Sequence, residues 1–196
     1  YTLSSKLAGE VIDNHAMPSL LLWQLALILN TVCEADAPLG PSDGALKTRS
    51  DCATWQRRLA TAEDGGLWSV GSGEFGQTGH GDEETRLVPT RVVALARERV
   101  VCVSAGHEHS LVLVQRGAVF SFGRGTSGRL GHGDEVDCST PKWVEGLAKE
   151  RVVAVAAGGF HSMAATADGR VYTWGYSGLL GHGEGSTNQL TPELVE

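Results

Sequence analysis

The chain has 196 residues, with 23 acidic against 16 basic side chains and a formal charge of −7. That length suits one domain or a domain with a short extension, and the acidic balance excludes a basic nucleic-acid footprint spread over the whole surface. An apolar content of 41% with 20% charged residues excludes bulk disorder.

Residues 1–50 share nothing with the rest of the chain and read as a short, partly helical N-terminal extension with a linker. Ser19–Cys33, SLLLWQLALILNTVC, is apolar on all sides, as a buried helix is, and Pro18 is tolerated at a first helical turn. Its apolar run is shorter than the roughly 20 residues of a membrane span, so no membrane association is expected. Residues 36–51, with two prolines and two glycines, read as a loop or linker. The chain opens on Tyr1 rather than Met, which reads as a fragment or a processed product. Cys33, Cys52, Cys102 and Cys138 form no CxxC pair and fall at no repeated position, the pattern of thiols in a reducing compartment. Cytoplasm or nucleus is the expected location.

Residues 51–66 admit two readings. Aligned with FHSMAATADGRVY at 160–172, they are the degenerate end of an earlier repeat with one inserted residue, Trp55 standing for Phe160 and Gln56 for His161. Their Trp-Arg-Leu letters also resemble the closing segment of an F-box, a helical module that recruits ubiquitin-ligase scaffolds.

From residue 67 to 196 the chain repeats. Trp68, Phe120 and Tyr172 are 52 residues apart, as are Gly71, Gly123 and Gly175. The same interval separates Gly79 from Gly131, Gly106 from Gly158, His80 from His132 and His109 from His161, while Gly181 and His182 in the last copy slip by two. Each unit holds an aromatic-rich strand (LWSVG, VFSFG, VYTWG), a glycine-rich loop and a short strand around a proline. A β-branched run such as RVVAVAAG and a last strand such as HSLVLV follow. Asp168-Gly169 is a hairpin turn. Four short strands in about 50 residues, stacked on copies of themselves, predict an all-β partial propeller of four-stranded blades. The aromatics at 68, 120 and 172 are expected to fill the gap between blades, with the repeated glycines where backbones come close.

The order aromatic-x-x-Gly, Gly-x-x-Gly-His-Gly-Asp, Pro, Val-Val-x-Val-x-Ala-Gly-x-x-His-Ser resembles the repeat of the regulator of chromosome condensation (RCC1) family, over about two and a half units. The resemblance implies a propeller that closes only with further units. It implies three kinds of host: an exchange factor for a small GTPase, a substrate-binding part of a large ubiquitin ligase, or a scaffold. Photoreception, which one branch builds on Gly-Trp-Arg-His-Thr repeats, is not implied, because 106–110 and 158–162 read GHEHS and GGFHS.

The GxGxxG strings at Gly71–Gly76 and Gly123–Gly128 would cradle a dinucleotide only if a helix opened at the third glycine. The glycines that follow break such a helix, so no cofactor is expected. His80, His132 and His182 recur one unit apart, too far to share a metal, and read as loop braces; His109 and His161 read as strand-end hydrogen-bonders. No nucleophile stands apart from the repeat, so no enzyme is expected. Recognition should lie where copies disagree within the shared loop: Ser72, Glu74 and Phe75, then Arg124, Thr126 and Arg129, then Tyr176 and Leu179. Of these, Glu74, Phe75, Arg124, Arg129 and Tyr176 are the candidate contacts. The expected role is an interaction or scaffolding module with a protein partner, in a ubiquitin ligase or acting on a small GTPase, and not with nucleic acid or chromatin. Neither full unit carries an insertion, which favours the scaffold over exchange.

Overall fold

The computed structural model describes residues 48–54, 57–183 and 187–195. The helix read at 19–33 and the placements of Trp55 and Gln56 lie outside them. Among the described residues no helix is long and apolar enough to cross a membrane.

Among the described residues, twelve strands form three antiparallel sheets of four. The first holds β1 (Thr48–Ala53), β2 (Arg57–Ala62), β3 (Leu67–Gly71) and β4 (Arg86–Arg91). The second holds β5 (Val100–Ala105), β6 (His109–Val114), β7 (Val119–Gly123) and β8 (Cys138–Trp143). The third holds β9 (Val152–Ala157), β10 (His161–Thr166), β11 (Val171–Gly175) and β12 (Gln189–Leu194). Strands pair in chain order within each sheet, and the inner strands β1, β5 and β9 gather side by side. The sheets therefore fan out from one edge, as propeller blades do.

The alternation of side chains along β6 shows why its sequence is an unbroken apolar run. Val112 and Val114 join Cys52, Leu59, Leu67 and Phe122 in a core between the first and second sheets. Leu111 and Leu113 face the other way, against Val155, Ala164 and Trp174 of the third sheet. A strand buried on both faces has no polar side to show.

Two expectations are corrected. The 52-residue interval runs through 57–66 with no insertion: Arg57 pairs with Gly71 as His109 pairs with Gly123 and His161 with Gly175. Arg57, and not Gln56, therefore occupies the histidine slot. The aromatics that fill the gap between sheets are Phe122 and Trp174, both fully buried, each beneath a glycine of the preceding sheet's loop, Gly79 or Gly131. Phe120 and Tyr172, two residues earlier on the same strand face, are half-buried at the margin of those cores.

The glycine-rich loops carry turns and no α-helix after Gly76 or Gly128. Gly76, Gly79 and Gly81 all have positive φ, at 72°, 82° and 90°. Added side chains at Gly76 and Gly128 would run into Ser139 and Leu190 of the next sheet.

Candidate functional site: the loop face

Each sheet sends two loops to the same edge, one after its inner strand and the long glycine-rich one after its third. A backbone bond stitches them together: Arg124 N–H donates to Glu108 O at 2.9 Å, and Tyr176 N–H to Phe160 O at 3.0 Å. Gly123 and Gly175 make this approach possible, since a Cβ there would lie 2.4 Å from Glu108 O and 2.5 Å from Phe160 O. Their φ angles, 108° and 112°, also favour glycine.

The stitching places side chains from three sheets in one strip. The Arg124 guanidinium sits 4.5 Å over the Phe75 ring of the first sheet's loop. Its Nη1 donates to Glu108 Oε2 at 3.0 Å, and its Nε to Thr126 Oγ1 at 3.1 Å. The same Glu108 oxygen lies 3.5 Å from Nη1 of Arg129, which also donates to Gly159 O of the third sheet at 3.2 Å. Arg129 in turn lies 4.7 Å from the centre of the Phe160 ring. Phe160 is 47% exposed, Tyr176 48% and Leu179 42%. The result is an aromatic patch held on a hydrogen-bonded base.

The candidate contacts take unlike places in this strip. Arg124 is partly exposed, Glu74 and Tyr176 are exposed, and Phe75 is half-buried under Arg124. Arg129 is buried, with 1% of its side chain accessible, and ties the second sheet to the third from beneath. Burial lowers its pKa while Glu108 opposes the shift. Glu108 and Phe160 were not among the candidates, although the copies disagree there too, GHEHS against GGFHS. That disagreement lies in the short loop, and it was the available signal.

The repeated histidines act as braces. Ser69, Ser121 and Thr173 each donate their hydroxyl to a loop carbonyl, Thr78, Leu130 or Leu180, at 2.8, 2.6 and 2.8 Å. His80, His132 and His182 bring Nε2 to those hydroxyls at 2.9, 3.0 and 3.0 Å. His109 Nε2 instead crosses to Ser162 of the third sheet at 2.8 Å. Arg57 crosses in the same direction, donating to the carbonyls of His107 and Gly106 at 3.2 Å each and to that of His109. Burial lowers the Arg57 pKa to about 10. Among the described residues, no group of three or more His, Cys, Asp or Glu could hold a metal ion.

Residues 64–113 and 116–165 match the sequence model of the Regulator of chromosome condensation (RCC1) repeat, and 100–129 and 152–179 match a second model of that repeat. The chain is 38% identical over 138 residues to the human E3 ubiquitin-protein ligase HERC2, covering 70% of this chain and 3% of that protein. It is 36% identical over 142 residues to the Arabidopsis thaliana Ultraviolet-B receptor UVR8, covering 71% of this chain and 32% of the receptor. The chain thus spans under a third of either relative. The crystal structure of Prp20p from Saccharomyces cerevisiae superposes with a TM-score of 0.69 at 24% identity, over 78% of this chain and 39% of that one, a likeness of fold alone.

Proposed function

The chain belongs to the RCC1 repeat family, and from that membership and the loop face we propose that it is an interaction module that binds a protein partner through the strip from Phe75 to Tyr176. The finer reading is recruitment of a substrate to a ubiquitin ligase, in the cytoplasm or nucleus. It draws support from the likeness to HERC2, whose name is that of such a ligase.

The observation that carries the proposal is the state of Phe160, Tyr176 and Arg124. The rings are nearly half exposed, yet the backbone beside them is bonded on both sides and Arg124 is fixed by Glu108 and Thr126. Aromatic and arginine side chains fixed before binding lose little entropy on contact, which is why such residues dominate protein interfaces.

A photo-crosslinking residue at Tyr176 tests this against the same residue at Arg151, between β8 and β9. The proposal requires that ubiquitin-pathway proteins be captured from Tyr176, and that Phe160→Ala reduce capture at least tenfold. Equal capture from both positions would defeat it. The rival reading, nucleotide exchange on a small GTPase, is checked with GTPases loaded with fluorescent nucleotide: accelerated release would favour it.

A further inference from the structure

Thr126 is exposed within the loop-face strip, and a guanidinium is already directed at its hydroxyl. Arg124 Nε–H donates to Thr126 Oγ1 at 3.1 Å, and Arg129 Nε–H donates to the carbonyl of the same residue at 2.9 Å. This pairing of arginine and threonine belongs to the second copy. One repeat interval earlier the two positions hold Ser72 and Glu74, and one interval later Tyr176 replaces the arginine. The turns of the first two sheets are held alike: a Cβ would lie 2.0 Å from Glu84 O at Gly73 and 2.2 Å from Val136 O at Gly125. Exposed Glu74 shows that such a turn accommodates an anion. At Thr126 the same slot offers a hydroxyl beside a cation.

We propose that Thr126 is a phosphorylation site that switches the loop face off. The proposal rests on the loop-face reading and supplies its regulation. A protein kinase transfers the γ-phosphoryl group of ATP. The bond from Thr126 Oγ1 to phosphorus forms, the bond from phosphorus to the β,γ-bridging oxygen breaks, ADP leaves, and the hydroxyl proton passes to the kinase's base. The phosphate brings a charge of about −1.5 to −2 and three acceptor oxygens. A guanidinium meets a phosphate with two parallel N–H donors, a stronger pairing than the single 3.0 Å bond from Arg124 Nη1 to Glu108. Arg124 therefore turns from Glu108 and the Phe75 ring to the phosphate, while Glu108 keeps Arg129, 3.5 Å away. Asp137 stays engaged by the Gly125 N–H at 2.8 Å. The strip that carries Phe160 and Tyr176 loses its partly exposed cation and gains negative charge.

Three measurements on the full chain test this. Mass spectrometry of the protein isolated from its own cells, with phosphatases inhibited, should find phosphate on Thr126. No phosphate there, or phosphate on Ser127 instead, overturns the site. Phosphothreonine placed at 126 during translation should lose its second phosphate proton at a lower pH, by roughly half a unit, than in the same modified chain carrying Arg124→Gln. Phosphorus NMR reads this, and equal titrations overturn the pairing with Arg124. Photo-crosslinking from Tyr176 should capture at least tenfold less partner with the phosphothreonine chain than with the unmodified one, and equal capture overturns the switch. An unmodified chain that captures nothing defeats the loop-face reading and the switch with it, whereas the site and the arginine pairing are read without any partner.

Discussion

Ser162 has one hydroxyl proton, and it goes to the Arg129 carbonyl 2.7 Å away. His109 Nε2, 2.8 Å from the same oxygen, must therefore be the donor, which leaves Nδ1 bare, buried and without a hydrogen-bond partner. A second proton would have to enter at Nδ1, where the ring is fully buried and the charge would be cut off from bulk solvent. Burial first, then the nearby Arg129 and Arg57, hold the His109 pKa well below the ordinary value of 6.5. Unfolded, the same imidazole titrates near 6.5. The unfolded chain thus takes up the proton first as pH falls, and the stability this histidine contributes, whole above about 6.5, is lost on the way down to its folded pKa. The slope is at most about 1.4 kcal/mol per pH unit for this one group. Urea melts at pH 7.5, 6.5 and 5.5 should show stability falling below 6.5. His109→Gln, whose amide still donates to Ser162, should flatten that fall; an unchanged slope would locate the titration elsewhere.

Between sheets, the joints are made by backbone at close quarters, and this gives glycines of one conformation very different costs. Gly76 and Gly169 both have positive φ, 72° and 88°. A Cβ at Gly76 would lie 2.3 Å from the Ser139 Cα, whereas nothing lies within 4 Å of one at Gly169. Gly169→Ala should cost only the left-handed strain, about 1–2 kcal/mol. Gly76→Ala should cost about 1–3 kcal/mol more, because a strand of the next sheet must move; equal melting points for the two variants would contradict the joint. Arg57 serves the first joint as His109 serves the second, by different chemistry. Three carbonyls of the second sheet depend on its guanidinium, so Arg57→Leu should destabilise by about 3 kcal/mol, measured by urea melts. That role was hidden in the sequence because histidine and arginine share no letter and no charge behaviour, and only the strand register shows them to be equivalent. Arg129 was misleading for the opposite reason. It differs between copies, as a contact residue would, but it differs because it pairs with Glu108 inside the joint. Disagreement between repeats marks a special role without saying whether that role faces inward or outward.

For the molecule as a whole, the period was legible and the phase was not. A string that repeats every 52 residues has no intrinsic origin, and the sharpest letters, LWSVG and VFSFG, invite a unit that starts at the third strand. The sheets start two strands earlier, so residues 48–62 belong with 67–91. The two phases make different demands on a chain cut before residue 67. If the unit beginning at 67 were the folding block, 67–114 would stay protected together, with β3 to β6 intact. The sheet phase requires otherwise. Without β1 and β2, β3 loses its inner partner, and Leu59 and Cys52 are gone from the core that Leu67 and Val92 share with the second sheet. A two-stranded remnant is marginal in water by itself. Hydrogen exchange on 67–196 should therefore show 67–91 opening at least a hundredfold faster than in the whole chain. Strands β9 to β11, which lean on the second sheet rather than the first, should change far less. Protection that persists across 67–91 would mean that the hairpin draws enough from Val100, Val112 and Phe122 to stand without its inner strands. The block that folds would then be the sequence repeat rather than the sheet.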